Sequence, residues 1–295
     1  MTGRVFLIVM DSVGIGAAPD ADSYFDEGAA TLPHIAQAVG GLDVPTFERL
    51  GLGNILSLLA DQGPITGVPP VPSPASSWGA MQEISEGKDT ITGHWEIGGL
   101  LLKPGFHLFP KTVPTFPPEI TDPLQKETGC KILGNCHASG TDIINRLGEQ
   151  AHREKALICY TSADSVFQIA AHTDAVSLQK LYDACETARD LCDPYRVGRV
   201  IARPFTGTPG NYTRTSDRVD YAFETEENTL LQHLSQHNVP VYSVGKVEDI
   251  FAHRGITRGW HTGTNAESMK QMDHLVKELD SGFVFANFID FDMEY

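Results

Sequence analysis

Six consecutive apolar residues, Val5-Phe6-Leu7-Ile8-Val9-Met10, run directly into Asp11-Ser12-Val13-Gly14-Ile15-Gly16. The arrangement returns near the other end of the sequence, where Phe283-Val284-Phe285-Ala286-Asn287-Phe288-Ile289 meets Asp290-Phe291-Asp292. A short apolar run closed by a loop reads as a buried strand, and a carboxylate at its end stands where open α/β sheets gather ligands. Two such runs predict an α/β core in which Asp11 and the segment Asp290-Phe291-Asp292 stand at strand ends. Helical patterns at 32–39, 44–52, 226–236 and 266–279, with a further strand at 240–244, fit that core.

The pattern is interrupted. Proline-rich stretches occupy 64–74 and 103–118, and the second reads as a crossing between domains. Residues 102–220 hold all five cysteines, strand-like runs at 156–160 and 197–202 and a helical segment at 178–191. This region is expected to be an inserted, smaller α/β cap, with 1–101 and 221–295 forming the split core.

At 295 residues and 41% apolar content, the chain can bury one large core or two smaller ones. No apolar run approaches the roughly 20 residues that a bilayer requires, and Asp11 interrupts the first run before it reaches the length of a secretory segment. The expectation is a cytoplasmic protein with no membrane partner. The cysteines, Cys130, Cys136, Cys159, Cys185 and Cys192, are odd in number and contain no C-x-x-C pair, which favours reduced structural thiols. Cys185 and Cys192, seven apart, share a helix face. A net charge of −16 disfavours nucleic acid as a partner. It leaves room for a small anionic substrate, because basic residues can converge locally and a divalent cation reverses the field of a carboxylate-rich site.

The densest chemistry lies in Gly87-Lys88-Asp89-Thr90-Ile91-Thr92-Gly93-His94-Trp95-Glu96. A threonine hydroxyl is a weak nucleophile unless a metal or base activates it while helix-end N–H groups stabilise the oxyanions. The same residues also suit a polar turn with a helix N-cap. On this segment alone the two readings balance. Among the eleven histidines, His94 alone lies inside a chemistry-bearing run, so most are expected at the surface or in packing.

Four segments carry a resemblance: Val9-Met10-Asp11-Ser12-Val13-Gly14-Ile15-Gly16, residues 87–96, Tyr160-Thr161-Ser162-Ala163-Asp164-Ser165 and Gly198-Arg199-Val200-Ile201-Ala202-Arg203-Pro204-Phe205. In this order they closely resemble the prokaryotic phosphopentomutases of the alkaline phosphatase superfamily, which implies an α/β, alkaline phosphatase-like core with a mostly parallel sheet and helices on both faces. That resemblance implies a mutase moving phosphate between C1 and C5 of ribose or 2-deoxyribose, with two Mn²⁺ ions (Mg²⁺ as the alternative) and a sugar bisphosphate activator such as glucose 1,6-bisphosphate. It implies that Thr90 carries the transferable phosphoryl group and also binds metal, and that Asp11 and Asp292 bind metal, with Lys88, Asp89 and His94 in support. Ser162 and Asp164 would hold sugar hydroxyls, Arg199 and Lys246 the phosphate, and Arg214 and Arg203 would be weaker contributors. Carboxylate oxygens suit such hard cations, and arginine's planar fork matches phosphate oxygens.

The family pattern continues, past the position of Tyr295, into Gly-His-Arg-Arg-Asp and Asp-His-Gly segments and a further histidine that complete the metal set. None of these occurs here, so the chain is expected to be C-terminally truncated and inactive as these 295 residues alone. The alternatives are another activity of the superfamily, a phosphoglycerate mutase or phosphatase, and a non-catalytic remnant that binds pentose phosphates. Oligomeric state stays open.

Overall fold

The computed structural model describes residues 3–24, 26–59, 63–162, 164–224 and 228–293. The strands run β1 (Arg4–Met10), β2 (Ile132–His137), β3 (Leu157–Thr161), β4 (Val166–His172), β5 (Arg199–Thr208), β6 (Asn211–Arg214), β7 (Val219–Ala222), β8 (Val241–Val244), β9 (Arg258–Trp260) and β10 (Gly282–Phe288). The helices are α1 (Thr31–Ala38), α2 (Pro45–Leu50), α3 (Thr90–Ile97), α4 (Pro118–Thr128), α5 (Gly140–Glu154), α6 (Leu178–Cys192), α7 (Leu230–Gln236), α8 (Val247–Ile250), α9 (Asn265–Glu278) and α10 (Asp290–Met293). Among the described residues no helix is long and apolar enough to cross a membrane.

The chain forms two compact units, each discontinuous in sequence. One comprises Met1–Glu86, Val239–Lys246 and Arg258–Tyr295, the other Gly87–Asn238 and Val247–Thr257. This partition follows packing.

The first unit is built on a four-stranded sheet in the order β1-β10-β8-β9, parallel throughout. The register Met10↔Phe288 and Ala286↔Val244 brings the carboxyl ends of β1, β10 and β8 together, because parallel neighbours must end on the same side. Met272 and Leu275 of α9 bury against Val244, Val284 and Ala286 on one face, which anchors the central strands. The expected strands at 5–10, 240–244 and 283–289 and the helix at 266–279 are present with ends shifted by a residue or two. The helical run at 44–52 stops at Leu50, since Gly51 adopts φ +105 and turns the chain into a 3₁₀ segment. The helix expected from 226 starts at Leu230, where Thr229 and Gln232 form a capping box; residues 225–227 lie outside the described residues. One expectation needs correction. β1 is an edge strand rather than a buried one, and Val5, Ile8 and Met10 are exposed.

The second unit holds a six-stranded mixed sheet, β2-β3-β4-β5-β6, with β7 also paired to β5. Helices α5 and α6 connect the parallel pairs β2–β3 and β4–β5. Strand alternation divides the core into two layers. Leu157, Cys159, Phe167, Ile169, Val200 and Ala202 join a cluster with Ile120 and Leu124 of α4 and Leu181, Ala184 and Cys185 of α6. Ile158, Tyr160, Ala170 and Phe205 instead bury with Ile143, Ile144 and Ala151 of α5. The strand expected at 197–202 starts at Arg199 and continues through Pro204 to Thr208. Pro204 is tolerated because it lies between the β7 pairing of 199–202 and the β6 pairing of 205–208, so no ladder bond needs its missing N–H. All five cysteines are free thiols, and Cys185 and Cys192 are both fully buried.

Candidate functional site

In the second unit, Asp89 caps α3 from extended backbone at φ −99 and ψ 158. The N–H groups of Ile91 and Thr92 donate to its Oδ1 at 2.9 and 3.1 Å, and the Thr92 hydroxyl donates to Oδ2 at 2.8 Å. Two threonines therefore stand in different chemical states. Thr92 is buried and committed to Asp89, whereas half-buried Thr90, at the first helical position, has a hydroxyl with no hydrogen-bond partner among the described residues. Gly87, at φ +153, packs on Thr92 so closely that a Cβ would meet its hydroxyl at 2.7 Å, which reserves the position for glycine. His94 is buried, and its Nδ1 lies 2.9 Å from the Thr90 carbonyl oxygen, a contact that requires the proton on Nδ1. Trp95 secures the helix from behind by donating to the Ile250 carbonyl at 3.0 Å and meeting Phe106 edge to face. Lys88 is exposed just ahead of the cap.

In the first unit, the carboxyl edge of the parallel sheet collects Asp11, Asp292 and Lys246. Asp11 is 8% exposed, and its backbone N–H donates to the Phe288 carbonyl at 3.0 Å. Ser12 takes a left-handed φ of +62, and its hydroxyl donates to Asp292 Oδ1 at 3.0 Å, which ties the two carboxylate-bearing segments to each other. Asn287, fully buried on β10, links three strand ends: its amide donates to Asp11 Oδ2 at 3.3 Å and accepts from the Lys246 N–H at 2.8 Å. Asp290 has a different task. It accepts from the Asn265 N–H at 3.0 Å and its own N–H donates to Asn265 Oδ1 at 3.1 Å, which pins α10 to the start of α9. Asp292 is left exposed on α10. A buried and an exposed carboxylate joined through a serine form a hard oxygen donor set, the kind that suits Mn²⁺ or Mg²⁺.

A cavity of about 220 Å³ opens in the second unit on the α5 face of its sheet. Its wall brings together Ser162, Asp164, Arg199 and Arg214, and adds Gln168, Arg203, Arg218 and the α5 start at Ser139 and Gly140. Arg199, Ile201 and Arg203 share one face of β5 by simple alternation, and the turn from β6 to β7 carries Arg214 and Arg218 to the same place. A side chain at Gly140 would collide with the Arg214 guanidinium and the Tyr160 hydroxyl, so the helix start stays bare beneath them. Burial pushes the Tyr160 hydroxyl above its usual range. Four guanidiniums, two carboxylates (Asp164 and the neighbouring Asp220) and a helix N-terminus make this a cationic pocket within an acidic protein.

Sequence reasoning passed over Asn287, Gln168 and Arg218. Asn287 lies within the apolar run that ends on Asp290, and a buried amide there was the available signal. His152, His172 and Asp174 come within 4.8 Å of one another and could hold a metal ion. The two rings lie parallel with centroids 4.1 Å apart, Nε2 of His172 lies 3.0 Å from the Gly207 carbonyl, and its Nδ1 accepts from the Asp174 N–H at 3.2 Å. Both nitrogens of His172 are thus engaged within the protein.

Among known proteins, the Metalloenzyme superfamily matches residues 3–295 of this chain. A phosphopentomutase of Anaeromyxobacter sp. (strain Fw109-5) is 51% identical over 293 residues, which cover 99% of this chain and 73% of that protein. Phosphopentomutases of Kosmotoga olearia and Thermotoga maritima are 47% and 48% identical, each across 99% of this chain and 73% of the relative.

Proposed function

This chain belongs to the phosphopentomutases, isomerases of the Metalloenzyme superfamily, and from that premise we propose that it serves phosphoryl transfer between C1 and C5 of a pentose through phosphorylated Thr90 and a 1,5-bisphosphate. The observation that carries this reading is the cationic cavity in which Ser162 and Asp164 stand beside Arg199 and Arg214. Hydroxyl-binding groups next to guanidiniums suit a sugar bearing a phosphate ester.

Thr90 is the acceptor because its hydroxyl, at a helix start, is unengaged among the described residues while that of Thr92 is bound to Asp89. Asp89 shapes the turn, His94 holds the Thr90 carbonyl, and Lys88 and Lys246 add positive charge for phosphate. Asp11 and Asp292 would hold the divalent ions, Mn²⁺ or Mg²⁺, with Thr90 as a further ligand, and bound ions would stabilise the attacking and leaving oxygens of the transfer. Residues 102–220 act as an inserted cap that keeps water from the bisphosphate, and 1–101 with 221–295 as the catalytic core. A sugar bisphosphate such as glucose 1,6-bisphosphate primes Thr90.

Of the metal set that the family resemblance implies, residues 1–295 carry Asp11, Thr90 and Asp292 and none of the histidines, so the reading expects sugar phosphate binding without turnover. Phosphorus NMR of the 295-residue chain with ribose 5-phosphate, Mn²⁺ and glucose 1,6-bisphosphate tests this, alongside calorimetry of ribose 5-phosphate binding. Binding without interconversion is the expected result. Interconversion to ribose 1-phosphate would overturn the metal-ligand assignment, and absence of binding would overturn the pentose reading.

A further inference from the structure

The arginines of the cavity are not equivalent. Asp220 serves two of them: Arg218 donates to it through Nε at 2.5 Å and Nη2 at 2.6 Å, and Arg199 through Nη1 at 3.4 Å. Strand pairing explains the choice, since Asp220 stands opposite Ile201 across β5 and β7, beside the cavity-facing row of β5. Arg203, two residues further along that row, is held in another way. Its Nε donates to Gln168 Oε1 at 3.1 Å, and among the described residues no carboxylate forms an ion pair with it.

Gln168 is 5% exposed, and its neutral amide can orient the guanidinium without cancelling its charge. Burial, then the nearby Arg218, pulls Arg203 down to about 10, so it stays a cation at neutral pH. A partly buried charge without an ion-pair partner is costly, the attraction of Asp220 from further away offsets only part of that cost, and a ligand that brings the opposite charge offsets more of it. With Nε fixed by Gln168, the Nη edge of the fork remains for an incoming group.

We propose that Arg203, positioned by Gln168, is a further anion-binding residue of the cavity and takes an oxygen of a sugar phosphate monoester. This rests on the pentose phosphate reading above. Arg199 and Arg218, already shared by Asp220, form the neutralised side of the cavity, and Arg203 and Arg214, without an ion pair among the described residues, its open one.

The test is calorimetric titration of the 295-residue chain with two probes, ribose 5-phosphate and inorganic phosphate, for wild type, Arg203→Met, Arg203→Lys and Gln168→Glu. Charged hydrogen bonds of this kind predict about ten- to a hundredfold weaker binding of both probes in Arg203→Met. Arg203→Lys keeps the charge but loses the fork, and falls between. Gln168→Glu is the discriminating variant, because a carboxylate beside Arg203 holds the side chain more firmly while consuming its charge. Phosphate affinity should fall in that variant with no drop in thermal midpoint. A purely structural Arg203 would leave the affinity of Arg203→Met for both probes at the wild-type value while its thermal midpoint falls, and that result would overturn the proposal. Arg203-dependent binding of inorganic phosphate without any binding of ribose 5-phosphate would sink the pentose reading alone. A wild type that binds neither probe would sink both.

Discussion

Asp89 commits both carboxylate oxygens to the turn it precedes, with three donors converging on one side chain. Replacing an N-cap of this kind with alanine costs about 1–2 kcal/mol, while serine restores most of it. Asp89→Ala should therefore lower the urea midpoint measurably and Asp89→Ser should recover it; equal midpoints for wild type and the alanine variant would show that the cap contributes nothing. Residue identities made this cap readable, since Asp three places before Thr92 is a local pattern. Which threonine stays available was not readable. Thr90 and Thr92 differ by two places in sequence, and only the helix geometry sends one hydroxyl to Asp89 and leaves the other unengaged.

At the level of elements, β3 and α6 place Cys159, Cys185 and Cys192 in one apolar layer. Burial pushes all three thiols up, Cys192 to about 12. In a disulfide-exchange titration at neutral pH, half-buried Cys136 should react first, and all five should react only after unfolding. Rapid native reaction of three or more thiols would contradict the packing. The linkage has a definite sign. A thiol whose folded pKa is raised keeps its proton more tightly than the unfolded one, so stability contributed by these groups is present below the ordinary thiol value and declines as pH rises above about 9. A flat melting temperature from pH 8 to 10.5, roughly spanning that titration, would argue against it. The helix at 178–191 was legible because its apolar spacing is regular. Strands β2 and β4 were not, because Gly134, Asn135, Gln168 and His172 break the apolar run that marks a strand, and their polar groups are satisfied only by partners elsewhere in the fold.

Across the whole molecule, the exposed edge strand is the conspicuous liability. Val5, Ile8 and Met10 are 57, 48 and 37% exposed on β1, which among the described residues has a neighbouring strand on one side only. Unprotected apolar edges invite pairing between chains. The 295-residue chain should scatter light increasingly with concentration and bind a hydrophobic dye, and Val5→Lys with Ile8→Lys should reduce both; unchanged scattering in the double variant would place the association elsewhere. The sequence by itself determined the α/β class, the strand that ends at Asp11, the strand that leads into the segment of Asp290 and Asp292, and the family, because each depends on local chemistry or on contiguous motifs. Tertiary structure alone decided that Asn287 would join Asp11 to Lys246, and that Arg203 and Arg218 would enter the cavity of Arg199 and Arg214. Those meetings depend on strand order and register, and register follows from how whole faces bury against helices, which no single stretch of residues encodes.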